Sequence, residues 1–161
     1  MSVDVVILGG GNMGDMEATL QHAEELIAQQ IGAVSARSEV LKSEAWGFEC
    51  SHPFSNRAWM ATTELEPMEV MERLLAIEAQ LGRNRKAEYR EKVLGGQNYA
   101  ARVIDLDILL YGRQVVVTPH LQIPHPMLLK RDFAIAPLCQ VLGIDSDSCV
   151  ELISNIVRDE I

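Results

Sequence analysis

The chain is poor in cysteine and in positive charge, and each of these shortages excludes certain classes of protein. Its 161 residues include 3 cysteines, Cys50, Cys139 and Cys149, which form no CxxC pair and leave one unpaired in any disulfide pairing. This count argues against a disulfide framework and against a zinc site. It favours a reducing compartment, and we expect a cytoplasmic protein.

The sequence also lacks long apolar runs and a basic N-terminal region. No run of apolar residues approaches the roughly 18–20 that a membrane span needs. The first residues, Met-Ser-Val-Asp, lack the basic region of a secretory signal. We therefore expect no membrane partner.

Basic residues number 14 against 23 acidic ones, which gives a net charge of −9. An acidic balance disfavours nucleic acid as a partner. The length fits a single domain, residues 1–161, and the 48% of hydrophobic residues suffices for a sizeable core. Since no coiled-coil or long exposed strand pattern calls for an oligomer, we expect a monomer.

Hydrophobic periodicity predicts the order of the elements. It indicates, in order, a strand at 4–8, a helix at 15–30, strands at 33–42 and 56–65, a helix at 67–81 and a strand at 102–110. A turn at 111–114 then leads to a hairpin partner at 115–117, and short helices follow near 133–141 and 149–157. This βαββαβ order, with an extra hairpin strand and C-terminal helices, predicts an α+β sandwich of the ferredoxin-like type. Its helices would cover one face of the sheet and leave the other open for a site.

The strand at 102–110 carries two aspartates in an otherwise apolar run. Asp105 and Asp107 are two residues apart, so they share a face of the strand, while Ile104, Leu106 and Ile108 point the other way, under the helices. Two such carboxylates could hold a hard cation, since Mg²⁺ is usually bound by one or two carboxylates together with substrate phosphates. A solvated strand face that happens to be acidic explains the spacing equally well.

A basic segment precedes this strand. Residues 83–102 hold 6 of the 14 basic residues against Glu88 and Glu91, so this window carries +4 and the rest of the chain −13. No clear periodicity marks it, and a loop of this length is often functional. We interpret it as a mobile lid over phosphates, with a solvated charged loop as the alternative.

The glycine-rich segment 9–14 formally satisfies G-x-G-x-x-G between a strand and a helix, which is typical of a dinucleotide site. The parallel strand succession of such a fold is not predicted here, so we favour a tight turn with close backbone packing. Helix 15–30 would begin at Asp15 as N-cap and stop at Gly32.

Two smaller clusters also contain candidate ligand-binding residues. Prolines on both sides of His125 restrict its backbone and help to aim the imidazole, and Arg131 follows nearby. Phe54 and Asn56 pair an aromatic face with an amide, which suits a flat heterocycle but also suits core packing.

Together these segments resemble one family, the 6-hydroxymethyl-7,8-dihydropterin pyrophosphokinases, over about residues 5–138. The segment 102–109 (RVIDLDIL) matches the family's R-x-x-D-[LIV]-D-[LIVM]-[LIVM] pattern. Segments 11–15 (GNMGD), 54–56 (FSN), 82–85 (GRNR) and 123–126 (IPHP) follow in the family's order. The chain departs from the family where Gly11 replaces a serine, where 100–101 replace a Gly/Ala-Pro pair, and where a pterin-covering tryptophan is missing.

The resemblance implies transfer of the pyrophosphoryl group of ATP to the hydroxymethyl oxygen of the pterin, with release of AMP, as a step of folate synthesis. Asp105 and Asp107 would hold two Mg²⁺ ions. The resemblance also implies these further roles: Arg83 and Arg102 as catalytic phosphate contacts, Glu78, Arg85, Lys86, His125 and Arg131 in ATP binding, and Ser43, Phe54, Asn56 and Phe133 in pterin binding.

Two other functions remain open from the residues themselves. A nucleotide- or dinucleotide-binding module would depend on Gly11 and not on the aspartates. A metal-dependent phosphohydrolase would use Asp105 and Asp107 to position water and would need no pterin.

Overall fold

The computed structural model describes residues 1–43, 53–94, 103–126, 128–130 and 132–159. The strands are β1 (Val3–Gly11), β2 (Ala33–Arg37), β3 (Leu41–Ser43), β4 (Phe54–Thr63), β5 (Asp105–Tyr111), β6 (Val116–Val117) and β7 (Gln122–Ile123). The helices are α1 (Met16–Gln30), α2 (Pro67–Gln80), α3 (Arg85–Val93), α4 (Asp132–Leu142) and α5 (Ser146–Asp159), with a 3₁₀ turn at Leu128–Lys130.

The main sheet has the order β2-β4-β1-β5, and β3 pairs with the other end of β4. Its pairings are antiparallel, including both neighbours of the central strand β1. The α+β class predicted from the sequence is confirmed. A dinucleotide fold is disfavoured, because β1 has no parallel neighbour in the described part of the chain.

Apolar side chains pack on both faces of this sheet. On one face, α1 and α2 cover a core that includes Val5, Ile7 and Trp59. On the other, α4 and α5 cover Val6 and Leu8. The expectation of one fully open face is therefore wrong, because α4 and α5 present their own apolar stripes and bury them against the sheet.

The segment after α2 is more ordered than its sequence indicated. Gly82, at φ +102°, ends α2 as predicted. Instead of a loop, α3 then begins, with Asn84 as its N-cap: Asn84 Oδ1 accepts a 2.9 Å hydrogen bond from the Ala87 N–H. The sequence did not predict this helix because six of its nine residues are charged and its apolar residues, such as Tyr89 and Val93, are exposed and do not mark a core-facing stripe.

The predicted hairpin of β5 with residues 115–117 is also wrong. Gly112 does make the turn after β5, at φ +54°. However, β6 then pairs with β7 in a separate two-stranded sheet, with Val116 opposite Ile123. The chain that follows β7 bonds to β5 instead, since the His125 N–H donates to the Leu109 carbonyl oxygen at 3.1 Å.

The first half of the glycine-rich segment, residues 9–11, lies inside β1, and the bend follows only at residues 12–14, where Gly14 has φ +70°. Close packing explains its glycines: a Cβ on Gly9 would come within 2.6 Å of the Trp59 ring. The helix stop predicted at Gly32 has a similar cause. A Cβ there would lie 1.8 Å from the Thr62 carbonyl oxygen, so glycine is required by the approach of β4. Asp15 is the N-cap of α1 as predicted, accepting from the Ala18 N–H at 3.1 Å.

Within the described ranges no single helix is long and apolar enough to cross a membrane. Residues 133–142 and 146–159 reach the necessary length and composition only as a pair, and that pair is bent by 93°.

Candidate active site

The two aspartates of β5 lie on one face of the sheet, as the alternation predicted. Ile104, Leu106 and Ile108 belong to the core under α1 and α2. Asp105 and Asp107 point to the opposite face, where the Asp105 side chain is 44% exposed and Asp107 is partly exposed. Both carboxylates therefore remain accessible to a ligand at the edge of the region that α4 covers.

Asp105 belongs to a row of residues that crosses the sheet. Gly10 of β1 pairs with Asp105 on one side and with Asn56 of β4 on the other. Paired residues of antiparallel strands point to the same face, so the side chains of Asp105 and Asn56 flank a position that has no side chain. Two strand spacings separate them, which is roughly 10 Å.

The side chain of Asn56 leaves no room for a side chain at position 10. A Cβ on Gly10 would lie 2.4 Å from Asn56 Oδ1. The asparagine is only 3% exposed, and its Nδ2 donates to Ser43 Oγ at 2.7 Å and to the Leu41 carbonyl oxygen at 3.3 Å. These bonds fix the amide plane and turn its oxygen towards Gly10.

Two other candidate residues for a heterocycle lie beside this amide. Ser43 ends β3 and pairs with Phe54, the first residue of β4. Because Phe54 and Asn56 are two apart on β4, they share a face. The structure thus brings together Ser43, Phe54 and Asn56, three residues to which the family resemblance assigns pterin binding.

Phe133 approaches the same face from α4. It is partly buried and packs on the core cluster that contains Leu8 and Ala58. Two further candidate residues, Arg102 and Arg131, lie outside the described residues.

Glu78 of α2 binds the backbone of the aspartate strand β5 from the face opposite to the aspartate side chains. It is 2% exposed on α2, and its Oε2 accepts a 2.7 Å hydrogen bond from the Leu106 N–H. Its Oε1 accepts from Arg85 Nη2 at 2.7 Å and lies 3.3 Å from Arg83 Nη1. Burial raises the pKa of this carboxyl above its ordinary value, and the bonds from Leu106 and Arg85 only partly oppose that effect.

Arg83 is the centre of an ion cluster next to Asp105. Its side chain is 6% exposed. Its Nη1 donates to Asp105 Oδ1 at 3.1 Å and to the Ile104 carbonyl oxygen at 3.2 Å. Its Nε and Nη2 donate to Glu88 Oε2 and Oε1 at 2.8 and 3.0 Å. Burial lowers the pKa of this guanidinium, but the hydrogen bonds to Glu88 and the negative charges of Asp105, Glu78 and Glu88 outweigh burial and raise it.

The other basic candidates of this segment lie on α3. Arg85 is its first residue, 56% exposed, and pairs with Glu78. Lys86 follows and is exposed. Both therefore stand at the rim of the site and are not part of a loop.

A cavity of about 600 Å³ adjoins Asp107 on the outer side of β5. Its wall is formed by apolar residues of α2 and β5 and by the segment that carries β7, including Met71, Leu74, Leu106, Ile108, Leu121 and Pro126. Asp107, Arg85 and His125 line it as well. The His125 N–H donates to the Leu109 carbonyl oxygen at 3.1 Å, which fixes this residue against β5.

The aspartates fit a magnesium ion only in combination with a ligand. Within the described ranges, no group of three or more His, Cys, Asp or Glu side chains could hold a metal. Two partly exposed carboxylates on one strand face are nevertheless the donor set that Mg²⁺ uses when substrate phosphates complete its octahedral shell.

Sequence reasoning missed two features of this site. One is Glu88, whose contact with Arg83 depends on α3 being a helix. Asn84 at an N-cap position was the available signal for that helix. The other is Gly10, which was interpreted as part of a turn but leaves the gap between Asp105 and Asn56.

Comparisons with known proteins agree on one family. The model of the family described as "7,8-dihydro-6-hydroxymethylpterin-pyrophosphokinase (HPPK)" matches residues 6–143. A "2-amino-4-hydroxy-6-hydroxymethyldihydropteridine pyrophosphokinase" of Porphyromonas gingivalis is 37% identical over 133 residues, which span 82% of this chain and 86% of that protein.

A larger plant protein and a solved structure are similar as well. The "Folate synthesis bifunctional protein" of Arabidopsis thaliana is 32% identical over 150 residues, covering 91% of this chain and 29% of that protein. A crystal structure described as "HPPK-DHPS in complex with substrates" superposes with a TM-score of 0.61 at 12% identity, over 88% of this chain and 40% of that one. This last likeness concerns the fold alone.

Proposed function

Because the chain belongs to the 7,8-dihydro-6-hydroxymethylpterin-pyrophosphokinase family and is therefore a pyrophosphokinase, we propose that it uses ATP and Mg²⁺ to pyrophosphorylate the hydroxymethyl group of its dihydropterin, releasing AMP. Its relatives are enzymes of folate synthesis. The nucleotide, the metal and the residue roles are the parts of this proposal that go beyond family membership.

The observation that carries the proposal is the row Asp105–Gly10–Asn56. It joins a carboxylate suited to a metal–phosphate complex with a fixed amide suited to the edge of a heterocycle. The separation of roughly 10 Å leaves room for a pterin ring held at Asn56 to extend its hydroxymethyl oxygen towards phosphates held near Asp105.

At the pterin end, Asn56 would bind the ring edge through its buried amide. Ser43, at the end of β3, would contact the ring through its backbone. Phe54 and Phe133 would cover the two faces of the ring, since aromatic side chains stack on flat heterocycles. Each of these groups lies on, or packs against, the same face of the sheet.

At the phosphate end, Asp105 and Asp107 would hold magnesium, with two ions expected when ATP is bound. When bound, the ions would neutralise charge on the triphosphate. Arg83 is already hydrogen-bonded to Asp105 and would contact the phosphates, as would Arg102. Arg85 and Lys86, at the start of α3, would bind the outer phosphates.

The cavity beside β5 supports a nucleotide as the phosphate donor. It has the size of a small-molecule site, at about 600 Å³. Its apolar wall suits an adenine ring, and Asp107 and Arg85, which also line the cavity, would place the triphosphate next to the metal-binding face. His125 lines this cavity and would contact the ATP, together with Arg131. Glu78 would act on ATP through Arg85, because its own carboxylate is buried.

The reaction then requires attack of the hydroxymethyl oxygen on the β-phosphorus. The bond from that phosphorus to the α,β-bridging oxygen breaks, AMP leaves with the bridging oxygen, and the hydroxyl proton passes to water. Asn56 and the two phenylalanines would orient the nucleophile, while Arg83 would stabilise charge on the transferred group. Such positioning and charge stabilisation account for most catalysis of phosphoryl transfer.

Nucleotide product analysis tests this proposal. The purified protein is incubated with Mg²⁺ and ATP, with and without 6-hydroxymethyl-7,8-dihydropterin, and the products are separated by ion exchange. We expect AMP and the pterin diphosphate in equal amounts, and only when the pterin is present. Formation of ADP with a pterin monophosphate would disprove the mechanism, and ATP hydrolysis without pterin would indicate a phosphohydrolase.

A further inference from the structure

Glu88 lies on α3 directly opposite the guanidinium of Arg83. Its two carboxylate oxygens accept hydrogen bonds from Arg83 Nε at 2.8 Å and from Arg83 Nη2 at 3.0 Å. This is the parallel, bidentate arrangement that arginine also forms with a phosphate group. The Glu88 side chain is 21% exposed and that of Arg83 is 6% exposed, so the pair is largely shielded from water.

The guanidinium has little capacity left for another anion. Its bonds to Glu88, Asp105 and the Ile104 carbonyl oxygen use four of its five N–H donors. Asp105 and Ile104 both engage Nη1, on the side of β5. The Nε–Nη2 edge is the one that faces α3 and is filled by Glu88. A phosphate can therefore bind Arg83 in bidentate form on that edge only by displacing Glu88.

We propose that Glu88 is an internal competitor of the triphosphate: it occupies the Nε–Nη2 edge of Arg83 before ATP binds and yields that edge to a phosphate. This inference rests on the proposed function in one respect, the assignment of Arg83 as a phosphate contact. Glu88 is a positioning residue here. It keeps the guanidinium charged, oriented and next to Asp105 while no substrate is present.

The exchange also has a consequence for α3. Glu88 joins the middle of this helix to Arg83, whereas Arg85 joins its first turn to Glu78 at 2.7 Å. Once a phosphate replaces Glu88, the contact in the middle of the helix is lost and the contact at its first turn is retained.

Glu88→Gln is the decisive variant, because glutamine keeps the size of the side chain and removes the charge that competes with phosphate. Binding is measured by calorimetry with two probes in the absence of pterin: MgATP, and inorganic tripolyphosphate with Mg²⁺. We expect the dissociation constant of both probes to fall by about threefold to tenfold, since a charged hydrogen-bonded competitor is removed. In steady-state assays, the KM for ATP should fall and kcat should stay within about twofold.

Two further variants serve as controls. Glu72→Gln makes the same charge change at an exposed position of α2 and should leave both dissociation constants unchanged. Glu88→Asp keeps the carboxylate on a shorter side chain, so its affinity should lie between wild type and Glu88→Gln. Thermal unfolding of each variant confirms that the compared proteins are folded.

An unchanged or weaker affinity in Glu88→Gln would overturn the proposal, and so would a fall in kcat alone, which is the sign of a permanent support of Arg83. The proposed function is tested separately, by AMP formation in the wild-type protein. If AMP does not form but tripolyphosphate binds more tightly to Glu88→Gln, the competition stands and the proposed reaction fails. If AMP forms and neither probe binds more tightly to Glu88→Gln, the proposed reaction stands and the competition by Glu88 fails.

Discussion

The backbone N–H of Leu106 donates a 2.7 Å hydrogen bond to the buried carboxylate of Glu78. Leu106 is the residue between Asp105 and Asp107, so a side chain of α2 holds the backbone of β5 at the point where both carboxylates project. The same carboxylate pairs with Arg83 and Arg85. One buried group thereby couples the positions of the candidate metal ligands to those of the candidate phosphate ligands.

The pH dependence of stability should reveal the burial of Glu78. Its pKa in the folded protein is raised above its ordinary value of 4.5, so folding favours the protonated carboxyl. The stabilisation is complete below the unfolded pKa and is lost as the pH rises through the folded pKa. We therefore expect the free energy of unfolding of wild type, minus that of Glu78→Gln, to decrease from about pH 4.5 towards neutrality. Urea denaturation at a series of pH values measures this difference, and a difference that grows with pH would contradict it.

Glu24 provides a matched case of the opposite sign. Arg37 donates to its two oxygens at 2.7 and 2.8 Å, and Trp59 Nε1 donates at 3.0 Å. The Arg37 hydrogen bonds lower the pKa of Glu24 despite partial burial. Its stabilisation is therefore present above the unfolded value of 4.5 and is lost as the pH falls through the folded pKa. In the same urea series, the difference between wild type and Glu24→Gln should shrink on acidification. A flat profile would show that Arg37 does not hold the ionised form.

Neutralising either aspartate should abolish turnover without unfolding the protein. Asp105→Asn and Asp107→Asn each remove a charge that the proposed metal–phosphate complex needs, so we expect AMP formation to fall by about 100-fold or more. Both side chains are partly exposed and asparagine has the size of aspartate, so both variants should stay folded, with the larger loss of stability in Asp105→Asn because Asp105 pairs with the buried Arg83. Asp147→Asn, at an exposed position of α5, controls for the loss of one negative charge and should keep full activity. Wild-type turnover in either β5 variant would remove that aspartate from the site.

Substitution of Gly10 and of Gly14 by alanine compares a crowded position in the site with an open one outside it. A Cβ on Gly10 would meet Asn56 Oδ1 at 2.4 Å, whereas a Cβ on Gly14 would meet nothing within 4 Å. Gly10→Ala should therefore displace the Asn56 amide, raise the KM for the pterin at least about tenfold and cost about 1–3 kcal/mol of stability through overpacking. Gly14→Ala should cost about 1 kcal/mol, because its φ of +70° strains an L-residue. Its KM should stay unchanged. Equal KM values in the two variants would show that Asn56 does not bind the pterin.

Local patterns in the sequence determined the features that depend on the nearest neighbours along the chain. Alternation along 105–108 put the aspartates on one face and the apolar residues on the other, because successive side chains of any strand point to opposite faces. Asp15, Pro67 and Gly82 set helix ends as predicted, because capping involves only a few consecutive residues. The order of the predicted elements indicated the fold class, and the resemblance of five short segments to one family indicated the enzyme.

Contacts between segments distant in sequence were decided only by the tertiary structure. Nothing local to Gly10 shows that Asn56 and Asp105 flank it, because the register of β1 against β4 and β5 depends on how all three strands fit the core. The partner of β6 proved to be β7 for the same reason. In the sequence, Glu78 is an ordinary helical carboxylate and Glu88 belongs to a segment predicted as a loop. Only the packing of α2 and α3 against β5 turns one into the support of Leu106 and the other into the ligand of Arg83.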